Sequence, residues 1–207
     1  MATKSASMVQ SVVVKGGGKA SLTCEQIFAL FDPPIEFGAH KDMQGTKDGY
    51  QAEHIVPTSA FHVKGRGGDL FNDGCKGYST SDALTWMVSD KQKEGQEHKL
   101  LTDPMRKFSQ ENSLNNQNAP LSKWLDKYEE GARDALKNGK INRTIKDPSL
   151  DRDDLIDKAA KCIRARAEKA FKDAGIPLTT PLRNPWPATN AQREAQSGLD
   201  EEDEGDI

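Results

Sequence analysis

Glu53 stands directly before His54 in Gln51-Ala-Glu-His-Ile-Val-Pro57, a short run with β-branched residues that Pro57 closes. Such a run predicts a strand over 50–56, in which neighbouring side chains point to opposite faces. Glu53 and His54 therefore cannot share one surface as an i,i+4 metal pair on a helix would, and each must do a separate job. An imidazole can take up a proton near pH 7, and a carboxylate can hold a cation or orient a neighbour. Two later histidines, His62 and His98, offer further imidazoles. His40 has no motif around it, and turn chemistry accounts for Asn72 and Asp73 better than ligation does.

The elements around these groups read as an α+β chain, mostly helical overall. After the strand comes a long loop with Gly65, Gly67, Gly68, Gly74 and Gly77. A second strand-like run covers Ala83 to Val88, a polar turn Ser89 to Gly95, and a helix begins near Gln96. His98 sits in its first turn and Leu100, Leu101, Met105 and Phe108 follow. Upstream, residues 1–20 read as a flexible lead with a strand candidate at Val12 to Val14. A short helix over Ser21 to Phe31 ends before Pro33-Pro34, and His40 to Gly49 is polar loop. Downstream, Asn112 to Asn118 is a connector without periodicity. Leu121, Trp124, Leu125, Tyr128, Ala132 and Leu136 recur at helical spacing between Pro120 and Gly139. A last helix has Ser149 or Asp151 as cap, carries Ile156, Ala159, Ala160, Ile163, Ala167, Ala170 and Phe171, and closes at Gly175. The expected organisation is one domain over 21–175, with its chemistry in 50–110 and a helical part in 120–175. A Pro-rich strap follows over 176–199, and an acidic tail over 200–207.

Composition narrows the partners. The net charge of −3 is uneven, because residues 200–207 hold six acids and no base, which leaves 29 basic against 26 acidic residues elsewhere. A mildly basic body is compatible with phosphate binding, and the tail reads as a solvated end. Lys158, Lys161, Arg164, Arg166, Lys169 and Lys172 on the last helix read as a solvated face before a phosphate-tracking one. No apolar run approaches the roughly 18 residues of a membrane helix, and the N-terminal residues lack a secretory core, so no membrane insertion is expected. Cys24, Cys75 and Cys162 are odd in number and far apart. That spacing argues against a disulfide framework or a zinc knuckle and predicts thiols in a reducing compartment.

Glu53-His54 at the end of a first strand, within the order strand, loop, strand, helix, resembles the HNH, or ββα-metal, nuclease superfamily over about residues 50–109. With His62 and His98 the pattern looks like the nuclease toxins of that superfamily that carry an EH pair and two later histidines, found in bacterial polymorphic toxins and secreted antibacterial effectors. The resemblance implies a ββα-metal core with additional packed helices and a metal-dependent endonuclease acting on DNA. His54 would be the general base, with Glu53 beside it, and Glu53, His98 and His62 would be metal ligands. The divalent cation would be Mg²⁺ in the first instance, with Mn²⁺, Ni²⁺ or Zn²⁺ as alternatives. It further implies synthesis in a bacterial cytoplasm, export without a classical signal peptide through a contact-dependent machinery such as type VI secretion, action in the target-cell cytoplasm, and a cognate immunity protein.

Two other classes remain open on the residues. Cys24, near a predicted helix start, could serve a cysteine-dependent amide hydrolase with His54 or His62 as base. Alternatively, the basic last helix could make the chain a non-catalytic nucleic-acid-binding module.

Overall fold

The computed structural model describes residues 8–89 and 95–195. The expected acidic tail, residues 1–7, the end of the strap and most of the Ser89–Gly95 turn lie outside them. The architecture is mixed α+β. Its long helices are α3 (Glu97–Leu114), α4 (Leu121–Asn138) and α5 (Arg152–Asp173). They stack in sequence, α3 against α4 and α4 against α5.

The helical periodicity has its expected cause. Leu121, Trp124, Leu125, Tyr128, Ala132, Ala135 and Leu136 of α4 are all buried, as are Leu155, Ile156, Ala159, Ala160, Ile163 and Ala167 of α5. A Cβ on Gly131 would meet the α3 backbone at Leu100 and Leu101 at 3.4 Å, so this glycine sets how closely α3 and α4 pack. Asp151 caps α5 by accepting from the Asp154 N–H at 2.8 Å.

The sheet that carries the candidate chemistry has three antiparallel strands, with β6 (Leu84–Ser89) between β4 (Phe37–Ala39) and β5 (Tyr50–His54). Central β6 is buried on both faces from Thr85 to Ser89, which suits its β-branched and aromatic residues. Across the β5–β6 pair Glu53 faces Trp86 and His54 faces Thr85. Helix α3 follows β6 and packs on it.

Four expectations are corrected. Residues 9–23 are an antiparallel hairpin, β1 (Val9–Val14) with β2 (Gly18–Thr23), rather than a flexible lead running into a helix at Ser21. The helix α1 starts later, at Cys24–Leu30, because Thr23 and Gln26 form a reciprocal capping box there. Residues 37–43, read in part as loop, form β4 and a short helix α2 (His40–Met43). Helix α3 runs on through Pro104 into the expected Asn-rich connector, held by the buried stripe Leu101, Met105, Ser109 and Ser113. A further small pairing joins β3 (Phe31–Asp32) to β7 (Thr144–Ile145).

The cysteines depart furthest from expectation. Cys24 on α1 and Cys162 on α5 form a disulfide across a separation of 138 residues, leaving Cys75 as a buried thiol. No short spacing could signal a pairing that only the docking of α1 on α5 creates. Closing so long a loop restricts the unfolded chain, so the C24A/C162A variant should lose about 2–4 kcal/mol. Urea unfolding of that variant against wild type, with and without reductant, checks this; reductant should move only the wild-type midpoint.

Candidate functional site

Glu53 and His98 meet. His98 Nδ1 lies 2.6 Å from Glu53 Oε2, joining β5 to the first turn of α3. Both side chains are largely covered, at 12% and 16% exposure for Glu53 and His98, so water screens the contact little. A carboxylate only accepts, so Nδ1 is the donor and the ring's remaining lone pair in the neutral form is on Nε2. The Gln51 side-chain amide donates to the same Oε2 at 3.2 Å. Among the described residues Oε1 receives no hydrogen bond and keeps its lone pairs.

What places His98 is the residue before it. The Glu97 carboxylate, wholly buried, accepts from the Ser89 N–H at 2.8 Å, while the Glu97 N–H donates to Ser89 Oγ at 3.0 Å. The end of β6 is thereby tied to the start of α3. Arg143 completes the clamp: Nε and Nη2 reach the two Glu97 oxygens at 2.6 and 2.9 Å, Nη2 reaches Met87 O, and Nη1 reaches Pro33 O and Pro34 O. The five guanidinium donors are all used, as a buried cation requires.

His54 has different surroundings. Its Nε2 lies 3.2 Å from Thr80 O, a group that only accepts, so Nε2 carries the proton and Nδ1 the lone pair. The His40 ring lies 4.2 Å from the His54 ring, centroid to centroid. Burial, with smaller contributions from His40 and Arg66, lowers the His54 pKa from 6.5 to about 4, against the Thr80 hydrogen bond that raises it. The imidazole is therefore neutral at physiological pH, the form that accepts a proton.

That depression makes stability pH-dependent. Between pH 6.5 and about 4 the unfolded chain holds a proton at position 54 that the folded chain rejects. Stability contributed by neutral His54 is complete above pH 6.5 and declines on acidification through this window, by roughly 3 kcal/mol in total. Urea midpoints measured from pH 7 to 4 should show a steeper acid loss for wild type than for His54→Gln, which has no proton to gain.

His62, expected as a third ligand, is not brought to the Glu53–His98 pair. It is buried, donates from Nδ1 to Gly68 O at 3.1 Å and accepts at Nε2 from Thr80 Oγ1 at 3.5 Å. Its ring is engaged in holding the glycine-rich loop, and through Thr80 it braces the carbonyl that orients His54. Among the described residues no group of three His, Cys, Asp or Glu side chains converges. Among the described residues the pair itself offers one carboxylate and one imidazole, Glu53 and His98.

Glu53, His54 and His98 all line one cavity of about 560 Å³. Helix α3 contributes His98, Thr102, Met105 and Arg106, the one face that i, i+4, i+7 and i+8 spacing selects. Arg66 comes from the glycine-rich loop, Tyr128 from α4, and Trp186 from the strap. Arg66 and Arg106 have no carboxylate partner among the described residues. Among the described residues that line it, two guanidinium groups stand against one carboxylate, Glu53, so this lining is cationic within a chain of net charge −3. The pattern around position 53 pointed to this place, but His40, Arg66, Arg106 and Trp186 carried no local signal. Only their convergence in space marks them.

The basic face of α5 is different. Lys158, Lys161, Arg164, Lys169 and Lys172 are paired with acids of α4 and α5, and Arg166 lies over Phe37 at 4.8 Å. That agrees with a solvated, self-neutralised face. Cys24 lines a separate cavity with its disulfide partner Cys162, so its sulfur is bonded and meets neither His54 nor His62. The geometry leaves no cysteine nucleophile at the site. No helix among the described residues is long and apolar enough to cross a membrane. No protein-family model, curated protein or solved structure matches the chain, so the reading of this site rests on its own residues and geometry.

Proposed function

We propose that the chain is a metal-dependent phosphodiester hydrolase, an endonuclease of the HNH type with a ββα-metal core formed by β5, β6 and α3. The observation that carries this reading is the convergence of the Glu53–His98 pair and a neutral, carbonyl-oriented His54 in one cationic cavity. An amide hydrolase needs no cationic surround, whereas a phosphodiester brings its own negative charge.

In this arrangement one member of the pair would ligate the divalent cation directly, Glu53 through Oε1 or His98 through Nε2, while the other orients it through the Nδ1–Oε2 hydrogen bond, with water filling the ion's other positions. When bound, the cation supplies charge stabilisation for the phosphoryl and leaving oxygens. The chain's own groups do the rest. His54 Nδ1 takes the proton from the attacking water, and the Thr80 carbonyl keeps the ring in the tautomer that makes Nδ1 the acceptor. Arg66 and Arg106 attract and seat the anionic backbone. Glu97 and Arg143 fix the helix start from which His98 projects.

Incubation with supercoiled plasmid, and separately with RNA, in Mg²⁺, Mn²⁺, Ni²⁺ or Zn²⁺ tests the proposal. Chelator-sensitive cleavage of at least one of these polymers is expected; no cleavage of either with any of the ions, or cleavage unaffected by chelator, overturns it. The toxin role is proposed from the resemblance alone. Production of the wild-type chain inside a bacterium should arrest growth, and an immunity protein that covers this cavity would be acidic.

A further inference from the structure

Trp186 lines the cavity, and neither the acid-base pair nor the phosphate contacts account for it. Its backbone is clamped to α3 through Ser109, which is buried: Ser109 Oγ donates to Trp186 O at 3.0 Å and accepts from the Trp186 N–H at 3.0 Å. The strap is thus held to α3 by a pair of bonds at one residue, and the half-buried indole lines the cavity with the Arg106 guanidinium carbon over one face of the ring, 5.6 Å from its centre. An aromatic plane next to an arginine without a carboxylate partner is the pairing that binds a nucleic-acid strand, the ring stacking a base and the cation meeting its phosphate. Trp86 and Trp124, by contrast, are fully buried in the core.

We infer that Trp186 is a base-stacking platform and that the polymer this cavity takes is single-stranded nucleic acid. The inference rests on the nucleic-acid reading of the cavity given above. A recess of about 560 Å³ walled by an indole is the size of a small-molecule site and accepts one unstacked nucleotide. A base inside a duplex is already stacked and would have to be pulled out, at a cost of a few kcal/mol. A single strand presents its bases at no such cost.

The test is binding in the presence of chelator, so that no cleavage is needed for a signal. A short oligothymidylate, a short oligouridylate and a duplex are titrated against the protein while its tryptophan fluorescence is followed, with affinity measured independently by anisotropy of the labelled strand. Single strands should quench the fluorescence. Trp186→Phe should abolish the quench while retaining binding, since a phenyl ring still stacks, and Trp186→Ala should weaken the affinity about 5- to 150-fold. A duplex that binds and quenches as well as the single strands overturns the inference. So does a full quench in Trp186→Phe, or an unchanged affinity in a folded Trp186→Ala. Single-strand binding with quench but without cleavage in any metal would remove the hydrolase reading and leave this one standing. Duplex cleavage that Trp186→Ala does not alter would do the reverse.

Discussion

Arg143→Ala should destabilise the fold by about 3–5 kcal/mol, because it leaves the Glu97 carboxylate buried without its cation. Glu97 is wholly enclosed and Arg143 is 2% exposed, so water cannot replace the lost bonds. The three carbonyls of Met87, Pro33 and Pro34 lose donors as well. Arg143→Lys should recover only part of the loss, since an ammonium cannot present the planar fork that meets both Glu97 oxygens. Replacing both partners by apolar residues of similar volume should cost less than either single change, because no charge is then stranded. Urea unfolding of the two single variants and the double variant measures all of this. A double variant as unstable as the worse single one would show that the clamp's worth lies in placing the α3 start and not in charge compensation. Cleavage should suffer in each variant, since His98 follows Glu97 directly.

His54→Ala should lower the cleavage rate by about 10²- to 10⁴-fold, the usual contribution of a positioned general base. The variant should keep its fold, as His54 sits at the end of edge strand β5 and, among the described residues, its ring hydrogen-bonds only to Thr80 O. Its affinity for an oligonucleotide in chelator should be close to wild type if, as proposed, the anion contacts come from Arg66 and Arg106. Loss of rate with binding intact separates a base from a binding residue. Equal loss of both would assign His54 to substrate binding and return the general base to another group on the cavity wall. His40, whose ring lies 4.2 Å from that of His54, is the first such group to examine.

Much of the framework is legible in the residues. Helix α4 has the bounds that Pro120 and Gly139 announce, and α5 starts from its Asp151 cap, because capping and i, i+3, i+4 burial are local properties. Strand β6 likewise falls close to the run that predicts it, while β5 covers Tyr50–His54 and stops short of Ile55 and Val56, the β-branched residues of the expected strand. Helix α3 shows where local reading stops. The run from Asn112 argues for an end, yet the helix continues to Leu114 because the face carrying Leu101, Met105, Ser109 and Ser113 is buried, and the same packing outweighs the backbone penalty of Pro104 inside the helix. Of the N-terminal hairpin only the Val12–Val14 part of β1 is legible, for a related reason. Its strands pair with each other around Gly16 and Gly17, both at positive φ, and its buried Val12 finds a core only once α5 is in place.

The chain by itself determined which chemical groups are present: an acid beside a histidine on a strand, further imidazoles, and amphipathic helices to support them. Those follow from side-chain type and from periods of two or of three to four residues, which neighbouring positions express without help from distant ones. Tertiary structure decided which groups meet. It put His98 rather than His62 against Glu53, turned His62 to brace Thr80, joined Cys24 to Cys162, and gathered Arg66, Arg106 and Trp186 around one cavity. These partners stand far apart along the chain. Their meeting depends on how buried faces stack, and no local pattern encodes that.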